Sequence, residues 1–176
     1  IASVGSAAST IIERHKYPDL VGRLQAEALA LATCLSSTFK FDGVFTLQAK
    51  GDGLVSTLFA DITEAGNLRG YCALNGDQSQ LSAMQLAQPN DDAIHIVPLM
   101  GDGYIAFTVD DAATGGRYQG IVELNGPHLS DAAMRWFENS EQTDTILLCA
   151  ADHGSSGWQA SALMLQRIAT EGGDTV

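Results

Sequence analysis

Between residues 42 and 74 the chain repeats one unit, a β-branched or aromatic run closed by a turn of two or three residues. Asp42-Gly43 leads into residues 44–49, Gly51-Asp52-Gly53 breaks that run, residues 54–62 follow, and Ala65-Gly66-Asn67 separates them from residues 68–74. Connections this short join antiparallel neighbours, so an antiparallel meander is expected. A second group echoes the first: Gly101-Asp102-Gly103 precedes a strand over 104–109, Gly115-Gly116 turns it, and residues 117–124 return. Asp61 with Arg69-Gly70-Tyr71 parallels Asp110 with Arg117-Tyr118-Gln119-Gly120. The echo is too short and loose for a solenoid.

Helical spacing marks three further stretches. Leu20, Leu24, Ala28, Leu31 and Leu35 predict a helix over 18–38, with Pro18 where a first-turn proline is tolerated. Leu81, Met84 and Leu86 predict a helix over 78–87, running into a polar, mobile loop at Pro89-Asn90-Asp91-Asp92. Ser130 is read as the cap of a third helix, with Ala133, Trp136, Phe137 and Ser140 on one face and an end near Gln142. Residues 145–151 and 158–168 read as strands joined by a loop over 152–157, and 170–176 as a frayed end or linker.

With 176 residues the chain fits one domain, and the net charge of −12 argues against sequence-independent nucleic-acid binding. No apolar run is long enough for a membrane-spanning helix. Residues 1–5 lack an initiator Met and the features of a signal peptide, so preceding sequence is expected. Cys34, Cys72 and Cys149 are odd in number and far apart, which reads as small buried thiols in a reducing, cytosolic compartment.

No chemistry-bearing motif stands out. His15, His95, His128 and His153 fall in different predicted elements without metal-ligand spacing. Cys149 and His153 read as a core thiol and a loop histidine, and Asp91-Asp92 and Asp110-Asp111 as solvated loop carboxylates. The Gly-Asp-Gly segments lack phosphate-loop spacing, so their glycines are assigned to turns needing positive φ. Arg69, Arg117 and Glu141 are expected to be structural, with Arg117→Ala lowering the melting temperature by stranding a partly buried carboxylate.

His15-Lys16-Tyr17-Pro18, the Glu27–Ala32 helix, Phe39–Gly43, Gly51-Asp52-Gly53, Leu68-Arg69-Gly70-Tyr71, Arg117-Tyr118-Gln119-Gly120-Ile121-Val122 and Phe137–Gln142 run in one order from about residue 11 to 168. In that order they resemble the N-terminal domain of the redox-regulated holdase chaperone, the thirty-three-kilodalton heat-shock protein family. The resemblance marks Tyr17, Pro18, Gly51, Gly53, Arg69, Gly70, Tyr71, Arg117, Tyr118, Gln119, Gly120, Ser140, Glu141 and Gln142 as family-motif residues of a structural kind.

The resemblance implies an α+β fold of curved, mixed but largely antiparallel sheet layers packed with a few helices. It divides the chain into a client-binding core over 1–169, its first strand clipped to the remnant 1–4, and the start of a linker over 170–176. It implies an ATP-independent cytoplasmic holdase, a homodimer that binds unfolding proteins, with no catalytic site. In the full-length protein a separate C-terminal module of C-x-C and C-x-x-C holds zinc. That module is absent from this sequence, so no cofactor is expected here and activity is expected to be constitutive. The competing readings are a small-molecule enzyme using the Gly-Asp-Gly loops and a plain oligomerisation module.

Overall fold

The computed structural model describes residues 1–76, 79–87 and 94–167. Among them the order is β1 (Ala2–Val4), α1 (Ser6–His15), α2 (Asp19–Ser36), β2 (Gly43–Gly51), β3 (Val55–Thr63), β4 (Leu68–Leu74), α3 (Gln80–Ala87) and α4 (Val97–Met100). Then come β5 (Gly103–Asp111), β6 (Gly116–Glu123), α5 (Leu129–Trp136), one π turn (Phe137–Glu141), β7 (Thr145–Gly154) and β8 (Gly157–Gln166). The expected loop at 89–92, the carboxylates Asp91 and Asp92, Ile168 and the 170–176 tail lie outside the described residues.

The strands form two sheets, one ordered β4-β3-β2-β5-β6 and the other β1-β8-β7. Every pairing among the described strands is antiparallel and the fold is α+β, with residues 2–4 paired to β8. Between the sheets lies α2, touching β1, β7 and β8 as well as β2, β3 and β4. Fifteen of its eighteen residues are buried. A helix apolar all round can sit only in an interior, and the runs of Ala and Leu from 26 to 32 let two sheets approach it closely. Its last carbonyls are satisfied by three successive hydroxyls: Ser36 Oγ donates to Thr33 O, Ser37 Oγ to Cys34 O and Thr38 Oγ1 to Leu35 O, at 2.9, 2.6 and 2.8 Å.

Several expectations are corrected. Residues 6–15 form a helix that the Ser- and Thr-rich sequence hides, held by the burial of Ala8 and Ile12. The 152–157 loop is shorter than expected: β7 and β8 run through Gly154 and Gly157, which pair across a two-residue turn. His153 is therefore a strand residue, stacked on Trp158 at 4.4 Å. Asp110 and Asp111 likewise lie within β5. His128, not Ser130, occupies the N-cap of α5, and the Asp131 carboxylate accepts its backbone N–H at 2.8 Å. Ser130 is buried inside the helix, while Ser140, expected on its apolar face, is exposed in the π turn. Leu86 points outward, 89% exposed, so α3 packs through Leu81 and Met84 alone.

Candidate functional site

The two sequence echoes are the two hairpins that flank β2. Asp61 faces Arg69 across β3 and β4, and Asp110 faces Arg117 across β5 and β6, both pairs on the outward side of the five-stranded sheet. A polar row crosses that side. Arg69 Nη2 donates to Asp61 Oδ2, Thr46 Oγ1 donates to Asp61 Oδ1 at 2.7 Å, and Gln119 Nε2 donates to Thr108 Oγ1 at 2.9 Å. The pairs differ in burial. The Asp61 side chain is 2% exposed, whereas Arg117 and Asp110 are 68% and 42% exposed. The carboxylate expected to be stranded by Arg117→Ala is thus solvated, because Asp110 lies one residue from the end of β5, and water screens the pair. Its guanidinium beside Asp110 holds that carboxyl below the usual carboxylate range.

Tyr17 and Pro18 link α1 to α2 at the β4 edge. Tyr17 Oη accepts from Cys72 N at 2.7 Å and donates to Cys72 O at 3.2 Å. His15 stacks on Tyr17 at 5.1 Å and meets Tyr71 edge-on at 5.7 Å. Burial pushes the Tyr17 hydroxyl up to about 12. Gly70 lies over α2, where an added Cβ would stand 2.5 Å from Gln25 Nε2. That amide donates to Phe59 O at 3.1 Å and its oxygen accepts from the Cys72 thiol at 3.2 Å.

Gly120 faces Trp136, whose Nε1 would lie 1.9 Å from a Cβ at that position. Only glycine lets β6 rest against this ring. Tyr118 lies at 6.2 Å from Trp136 and donates its hydroxyl to Glu141 Oε1 at 3.3 Å. Ser140, Glu141 and Gln142 are exposed, with Gln142 in the left-handed region at φ 51° to end the π turn. A cleft of about 450 Å³ opens here between Phe39, Val109 and Tyr118, rimmed by Lys40, Asp111, Arg117 and Glu141.

The Gly-Asp-Gly segments lie side by side where β2 ends and β5 begins. Asp52 N donates to Asp102 O at 3.0 Å, Asp102 N to Asp52 Oδ1 at 2.9 Å and Gly53 N to Met100 O at 2.8 Å. Only Gly101 among their glycines has positive φ, which corrects the turn assignment. Gly51, Gly53 and Gly103 are required by close backbone approach, since a Cβ would meet Met100 O, Leu99 O and Lys50 O at 2.0, 2.6 and 1.9 Å. Amides spent on the neighbouring loop are not free to cradle a phosphate, and Asp102 and Glu123 line the adjoining cleft with the wrong charge.

Sequence reasoning missed one buried group. Glu27, 1% exposed in α2, accepts from Ile94 N at 2.8 Å through Oε1, lies 3.9 Å from Arg23 Nε and leaves Oε2 unpartnered among the described residues. Burial pushes its carboxyl up to about 8, outweighing the hydrogen bond and Arg23, which favours the protonated form. His128 Nδ1 meets Ile94 O at 3.1 Å, and its ring packs edge-on against His95 at 4.7 Å, joining two histidines placed apart by sequence. The one signal available was a carboxylate inside an unbroken apolar helix. Cys34, Cys72 and Cys149 are buried, free and raised in pKa by desolvation. Among the described residues no group of three His, Cys, Asp or Glu side chains is placed to hold a metal.

What remains at the surface is apolar display. Tyr71, Tyr104, Tyr118 and Ile121 on one sheet, and Ile146, Leu148 and Leu165 on the other, are 40–59% exposed. Ile146 pairs with Leu165 and Leu148 with Leu163 across β7 and β8. Such faces bind apolar surface rather than carry out bond chemistry.

A family profile described as Hsp33 protein matches residues 1–176. The 33 kDa chaperonin of Caulobacter vibrioides is 32% identical over 173 residues, covering 96% of this chain and 56% of that protein. That of Ectopseudomonas mendocina is 34% identical over 160 residues, covering 90% and 48%. The chain thus spans about half the length of these curated relatives. The crystal structure of a 33 kDa chaperonin, a heat shock protein 33 homolog from Thermotoga maritima, shares the fold with a TM-score of 0.70 at 18% identity, over 89% of this chain and 51% of that one.

Proposed function

This chain belongs to the Hsp33 family, and from that premise we propose that it is the client-binding core of an ATP-independent, redox-regulated holdase that acts as a cytoplasmic homodimer without enzymatic activity. The observation that carries this reading is the exposure of Tyr71, Tyr104, Tyr118, Ile121, Ile146, Leu148 and Leu165 on strands of the two sheets. A net charge of −12 keeps such a surface soluble by repulsion between copies. The described residues bring no nucleophile, base and orienting group together, which leaves the enzyme reading without a site.

The zinc that the family holds in its cysteine module does not fit this chain's thiols, each buried in a different element. Nothing in the mechanism is therefore routed through a metal here. The core binds by desolvating apolar client segments against its strands, and its own thiols supply no switch. Burial holds each thiol above its ordinary pKa, which starves peroxide of the thiolate it needs.

Light scattering from heat-unfolding citrate synthase tests this, with the 176-residue chain added without nucleotide. Suppression at near-stoichiometric ratios, equal before and after peroxide, is expected. No suppression overturns the holdase reading. A several-fold rise on oxidation, or about one zinc released per chain to a chelator, overturns the assignment of the switch elsewhere.

A further inference from the structure

We propose that the free edge of β6 is a docking site for an extended segment of an unfolded polypeptide, which joins the five-stranded sheet as a further strand. The proposal rests on the holdase reading and specifies how a client is held. Leu124 N donates to Gly103 O at 2.9 Å, the pair next in register after Tyr104 and Glu123. In an antiparallel ladder hydrogen-bonded pairs alternate, so Tyr118, Gly120 and Val122 spend their backbone groups on β5. Arg117, Gln119, Ile121 and Glu123 point theirs away from it. Among the described residues nothing meets those outward groups.

The two edges of this sheet are treated differently. At β4, Tyr17 covers the outward groups of Cys72. At β6 the strand has no Lys or Pro, its register to β5 runs without a bulge from Tyr104↔Glu123 to Asp111↔Gly116, and its charges are limited to Arg117 and Glu123 near its two ends. Arg117, the charge best placed to guard the edge, is drawn back onto Asp110 through Nε–Oδ1 and Nη2–Oδ2 bonds of 2.6 and 2.9 Å.

Charge favours a basic segment of an unfolded chain as occupant: a second copy brings another −12, so the homodimer proposed above is assigned to another face, whereas a basic segment meets attraction. Backbone pairing reads no sequence, and side chains on alternate sides read only apolarity. One set falls on the Tyr118 side, beside the cleft floored by Phe39 and Val109, and the other beside Ile121 and Tyr104 on the outward face.

Amide hydrogen exchange by NMR tests this, with reduced, carboxamidomethylated lysozyme as a permanently unfolded, basic probe. In the free chain Tyr118, Gly120 and Val122 exchange slowly and Gln119, Ile121 and Glu123 fast. Binding is expected to slow the second set at least several-fold. Ile121→Pro removes an outward N–H without touching the bonds to β5 and is expected to weaken probe binding at least tenfold. Should that variant unfold, Ile121→Lys and the wild-type exchange pattern decide. Probe binding with no new protection at the odd positions, and no loss in the variants, overturns the docking site while the holdase reading stands. No probe binding by the wild type overturns both. Odd positions already protected in a free dimer that Ile121→Pro dissociates would show a second copy on the edge, which also overturns the proposal.

Discussion

Tyr17 Oη makes both hydrogen bonds that Cys72 would otherwise offer at the edge of β4, accepting from its N–H at 2.7 Å and donating to its C=O at 3.2 Å. A single hydroxyl carried on the α1–α2 linker thereby satisfies both outward backbone groups of one residue at that edge of the sheet.

Tyr17→Phe is expected to leave both groups without that partner and to destabilise the fold by about 1–2 kcal/mol in urea unfolding. The folded pKa of about 12 lies above the ordinary 10.0 of a solvated tyrosine, so this stability is present below pH 10 and lost as the pH rises towards 12. The phenylalanine variant should lose that part of the alkaline slope; an unchanged slope would refute the assignment.

Gly120→Ala places a methyl against the Trp136 indole. Overpacking of this kind costs about 1–3 kcal/mol, and a shifted tryptophan emission should accompany the lowered urea midpoint. Gly115→Ala, at a turn with φ +66° and open space, is the comparison that separates backbone strain from collision.

Arg69→Ala is expected to cost about 1–3 kcal/mol, since Asp61 is buried and keeps only Thr46. Arg117→Ala should matter less, and its effect should fade in 1 M salt, because its partner Asp110 is solvated. Paired urea titrations at low and high salt check the difference. Equal losses for the two variants would show that burial of Asp61 is unimportant.

Glu27 sets a pH dependence of the opposite kind to a salt-bridged acid. Its folded pKa of about 8 exceeds the ordinary 4.5 of a solvated glutamate, so its contribution is present below pH 4.5, falls as the pH rises to about 8 and is flat beyond. Glu27→Gln keeps a carbonyl for Ile94 N and should remove that fall, leaving the variant more stable at pH 8.5 by on the order of a few kcal/mol. Thermal melts from pH 5 to 9 measure it, and parallel curves for the two proteins would overturn it.

Strand positions and antiparallel pairing were legible because their causes are local: alternation along a run and turns of two or three residues. The hairpin echo was legible as Asp61 with Arg69 and Asp110 with Arg117, and the structure gives it a physical meaning as paired positions on flanking hairpins. Helix α1 was not legible, since Ser6, Ser9 and Thr10 favour caps and turns over helix interiors and the element is held by the burial of Ala8 and Ile12. The Gly-Asp-Gly glycines were read as turns because steric crowding by a loop about fifty residues away leaves no local trace.

Sequence by itself determined the secondary-structure alternation, the acidic charge and the identity of the motif residues, all properties of neighbours along the chain. Tertiary structure decided which of two similar carboxylates is buried, that burial raises the Glu27 carboxyl, and that Tyr17 caps Cys72 at β4 while the outward groups of β6 meet no partner among the described residues. Those outcomes depend on desolvation and on the phase of hydrogen bonds between strands, which are set only when segments distant in sequence meet.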